Sequence, residues 1–247
     1  MALHSGTAKA KDYLKAAQSA VVLTGAGISA ESGVPVFRGK EGLWNNYRPE
    51  ELATPEAFMR DPELVWSWYN MRREKLESIE PNDAHGALAT LEESLDDFTL
   101  ITQNVDGLHR KAGSRNILEL HGNIWKVRCT GCGKIERNCD IPIDIPPYCD
   151  KCGKILRPHI VWFGEMLDPE IFGNADAAVR KCDILIVIGT SGVVQPAASM
   201  ARTAKDAGAY VVEINPQVTP ISDAADLSLR GKATEIVSII SLFDTEV

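Results

Sequence analysis

A chain of 247 residues, 45% of them hydrophobic, carries 34 Asp and Glu against 26 Lys and Arg, a net charge of −8. This predicts a globular protein, one large domain or a domain with a smaller inserted module, and argues against non-specific nucleic-acid binding, which needs clustered cations to displace counterions. MALHSGTAKAKDYL at the start has no uninterrupted apolar stretch and no later apolar run approaches the ~18 residues that span a bilayer, so a cytoplasmic protein without a membrane segment is expected.

In chain order, the pattern predicts a helix over 7–18, a strand AVVLT over 20–24, helices over 62–79 and 83–94, and strands FTLIT over 98–102 and ILEL over 117–120. A helix over 168–180, a strand DILIVIG over 183–189, a helix over 196–206, a strand AYVVEI over 209–214 and a helix over 232–242 follow. The strands are apolar with little alternation, as strands covered on both faces are, and strands alternating with helices predict an α/β, Rossmann-like doubly wound parallel sheet. Two stretches break the alternation: 39–81, aromatic and charged without a strand signal, and 125–160, with four cysteines and a Pro-rich turn. Both are expected in a smaller helical and zinc-ribbon lobe, leaving 1–38, 82–124 and 161–247 to the Rossmann-like domain.

Each strand runs into a polar cluster: Gly25-Ala26-Gly27, then Gln103-Asn104-Val105-Asp106, then His121-Gly122, then Thr190-Ser191-Gly192, then Asn215-Pro216. Open parallel sheets bind ligands beyond the carboxyl ends of their strands, so five such clusters can converge on one site. Gly25 and Gly27 fit the start of a dinucleotide fingerprint, with helix N–H groups then expected to face a pyrophosphate, but Ala30 must serve as its third small residue and no acid follows on a second strand. A tight turn made for packing fits the same glycines. Asn104 and Asp106 suit ribose hydroxyls or a carboxamide, or else a helix cap. His121 has the ordinary pKa of about 6.5 that suits a general base near neutral pH, or is a structural histidine.

Cys129-Thr-Gly-Cys132 and Cys149-Asp-Lys-Cys152 are two C-x-x-C knuckles 16 residues apart. That spacing reads as a zinc ribbon, and four thiolates fill a tetrahedral site, so the ion is expected to be structural. Cys139 and Cys182 fall outside the pattern and read as ordinary thiols. Tyr69 and Arg72 are three apart on the helix over 62–79 and share a face, which for an amphipathic helix would leave its cations in water.

GAGISAESGVPVFRG (25–39), TQNVDGLH (102–109), the LHG around His121, the paired cysteines, IVWFGE (160–165), GTS (189–191) and INP (214–216), in this order, resemble the sirtuin family of NAD-dependent protein lysine deacylases. The resemblance covers nearly the whole chain and removes the need for the missing acid. It implies that Gly25, Ala26 and Gly27 and a mobile loop carrying Phe37 and Arg38 close over NAD. Gly189, Thr190 and Ser191 are implied to meet phosphate and ribose, Asn215 with Pro216 and Gln217 the adenosine ribose, and Ala233 the adenine. Gln103, Asn104 and Asp106 order the nicotinamide end, with Asn104 and His121 the catalytic pair. By the family mechanism the acyl oxygen of a modified lysine displaces nicotinamide, and His121 activates a ribose hydroxyl to attack the resulting imidate. Free lysine and O-acyl-ADP-ribose result. Val161, Phe163, Gly164 and Glu165 resemble the strand along which a substrate peptide adds.

Many deacetylating relatives carry Asp before the Phe-Arg pair, where this chain has Val36. The G-V-P-x-F-R-G form, with Ala53 and then Tyr69 and Arg72, resembles the class III subgroup that removes acidic acyl groups such as succinyl and malonyl, Ala53 leaving room and Tyr69 and Arg72 gripping a carboxylate. His159, where relatives commonly have Gly, is a second departure. Two other readings share these features. An NAD-dependent ADP-ribosyltransferase would share the cofactor, and a zinc-ribbon docking module would use the seven Lys and Arg, against four Asp and Glu, of residues 126–159.

Overall fold

The computed structural model describes residues 2–36 and 48–241, with side chains from residue 5 onward. The chain opens with α1 (Ala2–Ala16) and β1 (Ser19–Thr24), and two short 3-10 turns at 26–28 and 30–32 follow. From residue 49 the chain is helical: α2 (Pro49–Leu52), α3 (Pro55–Arg60), α4 (Pro62–Glu77) and α5 (Asp83–Ser94). Thr54, Asp61 and Asn82 accept a backbone N–H at the starts of α3, α4 and α5, and Pro55 and Pro62 occupy first-turn positions where a missing N–H costs nothing. Then come β2 (Asp97–Thr102), α6 (Leu108–Lys111), β3 (Ile117–Glu119), β4 (Gly122–Cys129), β5 (Ile135–Arg137), β6 (Leu156–Ile160) and α7 (Pro169–Lys181). The chain continues through β7 (Ile184–Ile188), α8 (Met200–Asp206), β8 (Tyr210–Ile214), β9 (Leu227–Leu229) and α9 (Ala233–Ser241).

Six strands form one parallel sheet in the order β3-β2-β1-β7-β8-β9. Counted within the sheet this is 3-2-1-4-5-6, the dinucleotide-binding order, whose direction reverses between β1 and β7 and opens a crevice there. The sheet is covered on both faces, and the parity of the strands shows it. Val22, Leu100, Ile186 and Val212 pack with Leu14, Leu88 and Ile236 on one side. Val21, Leu23, Ile101, Leu185 and Val211 pack with Val179, Met200 and Ala204 on the other. Every second residue of a strand faces the opposite way, so strands buried on both faces are apolar throughout.

The expected doubly wound sheet is present, with β9 in addition: Leu227-Ser228-Leu229 is too short to stand out as a strand in the sequence. β4, β5 and β6 form a separate antiparallel sheet in the order β5-β4-β6. A third core joins this sheet to the helices before it, with Leu52, Phe58, Trp66 and Tyr69 against Val127, Leu156, Ile160 and Trp162. The stretch 161–165 is not the strand that the resemblance implies. β6 ends at Ile160, and a turn follows, with Gly164 at φ +86°.

Candidate active site

The carboxyl ends of the strands around the crevice between β1 and β7 bring all five strand-end clusters into contact. Gly27 N–H donates to the Gly189 carbonyl at 2.8 Å, and a Cβ on Gly27 would lie 2.7 Å from Gly189 Cα, so the two loops touch only because Gly27 has no side chain. A Cβ on Gly25 would likewise lie 2.8 Å from Thr190 Cα. Packing between the loops therefore accounts for both glycines, and 3-10 turns follow instead of the expected α-helix. Gln103 Nε2 donates to Thr190 Oγ1 at 3.0 Å, Asn215 Nδ2 to the Thr190 carbonyl at 2.8 Å, and Asn104 Nδ2 to the Gly25 carbonyl at 3.1 Å. Ser191, Pro216 and Gln217 are exposed beside them, and Ala26 is half-buried. Ala233 starts α9, which is tied to the 30–32 turn by Thr234 Oγ1 donating to Glu31 at 2.8 Å. Phe37 and Arg38 lie outside the described residues.

Asp106 is buried, and Ser29 Oγ donates to it at 2.8 Å while the Leu108 N–H does so at 2.9 Å. Burial raises its pKa and these two bonds work against the rise. Ser29 also accepts from Asn104 Nδ2 at 3.2 Å, so one serine hydroxyl spaces the amide and the carboxylate. Sequence reasoning missed Ser29, because nothing local marks a serine that acts on a residue 77 positions away. Below it lie His85, 3.3 Å from Ser29 Oγ, and His109, 2.9 Å from Thr24 Oγ1. His85 is fully buried, and burial lowers its pKa to about 4. His109 shifts the same way. Below an unfolded value of about 6.5 the unfolded chain binds a proton that folded His85 refuses, so stability falls as pH drops from 6.5 towards 4. We expect His85 alone to cost about 2 kcal/mol between pH 7.5 and 5 in urea unfolding; unchanged stability across that range would contradict its burial as a neutral ring.

His121 follows β3 at the mouth of the crevice. Its Nδ1 lies 3.0 Å from the Gln103 carbonyl, which can only accept, so Nδ1 carries the proton and Nε2 holds a free lone pair. Burial lowers the His121 pKa, with the Gln103 bond acting in the other direction. The ring is thus neutral near pH 7, a base with one available atom. Gly122 fixes this corner: it has φ +81°, and a Cβ there would come within 2.1 Å of the His159 carbonyl. The half-buried His159 has its pKa lowered by burial and by Arg128, Lys126 and Arg157.

The four knuckle cysteines meet, with Sγ atoms all within 4.8 Å of one another, Cys129 to Cys152 at 3.3 Å and Cys132 to Cys149 at 3.8 Å. Four thiolates at the usual Zn–S distance of about 2.3 Å would stand roughly 3.8 Å apart, so the cluster fits a tetrahedral ion with no position left open. The same ribbon supports the crevice: Ile124 N–H on β4 donates to the Val105 carbonyl at 2.9 Å and Trp125 Nε1 to the Asp106 carbonyl at 2.8 Å. Full chelation is expected to abolish the near-ultraviolet circular dichroism of the ribbon and, through these two bonds, NAD affinity. A metal-free chain that kept its dichroism and bound NAD normally would rule this out.

The candidate acyl-binding residues Ala53, Tyr69 and Arg72 are buried. Tyr69 is 2% exposed and Arg72 9%, so the expectation that the cations of α4 lie in water does not hold for Arg72, nor for fully buried Arg73. The Arg72 guanidinium lies 4.9 Å from the Trp68 ring centre, and burial lowers its pKa against the charges of Tyr69 and Asp106. The carbonyl of buried Ala53 accepts from Phe163 N–H at 3.0 Å, and the His121 carbonyl accepts from Val161 N–H at 2.9 Å, so residues 161–163 connect Ala53 with His121. Phe163 is 44% exposed. Glu165 faces inward, held by Arg157 through two bonds of 2.6 and 2.8 Å and accepting from Trp162 N–H at 2.8 Å.

The model of the Sir2 family matches residues 25–196, more than half of the chain. The chain belongs to the Sir2 family. Among curated Sir2 relatives, the NAD-dependent protein deacylase 1 of Archaeoglobus fulgidus is 56% identical over 219 residues, covering 88% of this chain and 89% of the relative. A Sir2 homologue solved with NAD is 52% identical with a TM-score of 0.89, over 95% of this chain and 92% of that one. A Sir2 structure with a deacetylated p53 peptide and 3′-O-acetyl-ADP-ribose is 33% identical with a TM-score of 0.84, over 95% and 96% of the two chains. This Sir2 chain has the Rossmann-like sheet and the cysteine cluster that its sequence predicts. Among its described residues no helix is long and apolar enough to cross a membrane.

Proposed function

We infer that this chain is an NAD-dependent protein lysine deacylase that transfers the acyl group of a modified lysine to ADP-ribose and releases nicotinamide. The observation that carries the reading is His121, whose Nδ1 is anchored on the Gln103 carbonyl at 3.0 Å, which leaves Nε2 as base at the mouth of the crevice. NAD, when bound, supplies a ribose carbon with nicotinamide as leaving group and a hydroxyl for the base to activate. The polar groups at the crevice suit it: the exposed Ser191 beside the close-packed glycine turns, and the Asn104 and Asp106 pair spaced by Ser29. We assign the nicotinamide end to Gln103, Asn104 and Asp106, phosphate and ribose to Gly25, Ala26, Gly27, Gly189, Thr190 and Ser191, and the adenosine end to Asn215, Pro216, Gln217 and Ala233. Phe37 and Arg38 are assigned on the family resemblance alone.

The proposal extends to acidic acyl groups, succinyl and malonyl as well as acetyl, because a buried Arg72 beside Tyr69 and the small Ala53 suits a carboxylate. Val161, Phe163, Gly164 and Glu165 are assigned to the peptide through the turn that they form. Because the N–H groups of Val161, Trp162 and Phe163 already have partners in the fold, backbone recognition here falls to carbonyls and to Gly164. The proposed division keeps 1–38, 82–124 and 161–247 with the cofactor, and 39–81 and 125–160 with the pocket and zinc. A cytoplasmic location is part of the proposal, supported by a cluster of thiols that binds zinc only while reduced. Incubating the protein with an acetyl-lysine peptide, with and without NAD, tests the reading: deacylation must require NAD, and NAD-independent release of acetate would exclude it.

A further inference from the structure

We propose that Trp162 is a specificity-determining positioning residue, whose indole N–H commits the Tyr69 hydroxyl to donate towards a carboxylate on the acyl group. The inference rests on the carboxylate reading of Tyr69 and Arg72 given above. Trp162 is 2% exposed, and its Nε1 donates to Tyr69 Oη at 2.9 Å. Indole is only a donor, so the tyrosine oxygen must accept in this bond and its own proton must point elsewhere. Among the described residues nothing accepts that proton, although Tyr69 is 2% exposed. A buried hydroxyl proton without an acceptor is costly, and an acyl carboxylate, which near neutral pH only accepts, satisfies it. Arg72, three residues on and with its guanidinium 5.8 Å from the Tyr69 ring centre, adds the countercharge.

Trp162 is held so that it cannot turn away. Its ring lies under the Arg157 guanidinium at 3.5 Å from the ring centre, with Phe58 at 5.3 Å. Arg157 in turn is fixed by Glu165, which also accepts from the Trp162 backbone N–H. Glu165 thus serves the pocket from a distance, through Arg157 and Trp162. Burial raises the Tyr69 pKa, so the hydroxyl keeps its proton across the working pH range.

The test compares kcat and KM for succinyl and acetyl forms of one peptide in wild type, Trp162→Phe, Tyr69→Phe, the double variant and Arg72→Met. A second version with 3-benzothienylalanine at position 162 keeps the indole shape and lacks only the N–H. Losing the N–H is expected to raise KM for the succinyl peptide about three- to tenfold, with kcat and acetyl turnover close to wild type. Adding Trp162→Phe to Tyr69→Phe should cost nothing further. Equal losses on both peptides, additive losses in the double variant, or wild-type values with the benzothienyl side chain would each overturn the proposal. Failure of the carboxylate reading shows separately, as an Arg72→Met variant that keeps the wild-type ratio of succinyl to acetyl turnover.

Discussion

His121→Ala is expected to lower deacylation by roughly 100- to 10,000-fold while NAD still binds, since a general base contributes on that scale to rate and little to ground-state affinity. The expectation rests on one atom. With Nδ1 bound to the Gln103 carbonyl, Nε2 has no other duty in the described fold, and an alanine removes it without touching the loops at 25–27 and 189–191. The pH profile has a determined sign. Burial depresses the His121 pKa below its ordinary 6.5, so the basic form persists into mildly acidic solution. Log kcat/KM should rise with pH through a midpoint below 6.5 and then level off, and this rise should be missing in the residual activity of His121→Ala. Turnover within a few-fold of wild type in the folded variant would remove His121 from the chemistry.

Arg72→Met should separate substrates. If the guanidinium grips a carboxylate in the buried pocket, its loss leaves that charge unpaired, at a cost of about 2 to 5 kcal/mol. That corresponds to roughly 30- to several-thousand-fold in kcat/KM for a succinyl-lysine peptide. Acetyl-lysine has no carboxylate, so its turnover should change little or improve as the charged wall becomes apolar. Because Arg72 is 9% exposed and stacks near Trp68, a purely structural arginine would also be noticed, but on both substrates alike. Measuring both forms of one peptide decides between them, and equal losses would reduce Arg72 to a packing residue.

Much of this could be read from the chain because strand ends are local. An apolar run that stops at Gly25, Asn104, His121 or Thr190 states where a strand delivers its polar residues, and the parallel order then brings them to one edge. The paired cysteines were equally legible, since ligand spacing within a knuckle is a short-range property. What escaped depends on contacts that no spacing encodes. Ser29 gains its role from Asp106 across 77 positions, and Trp162 from Tyr69 across 93. The amphipathic pattern of α4 suggested solvated cations, and only the packing of β4 and β6 against that helix shows that Arg72 and Arg73 are covered. The run Ile160-Val-Trp-Phe has the composition of a strand, yet Gly164 at positive φ and the inward bonds of Glu165 turn it. The glycines at 25 and 27 matched a fingerprint, but their first duty in the fold is to let two loops touch.

The most direct measurement of the central claim is mass spectrometry of all products when the purified protein meets NAD and one acyl-lysine peptide. A deacylase of this kind must yield, for each lysine freed, one nicotinamide and one O-acyl-ADP-ribose that carries the peptide's own acyl group. ADP-ribose attached to protein, or free acetate or succinate with NAD left intact, would contradict the account.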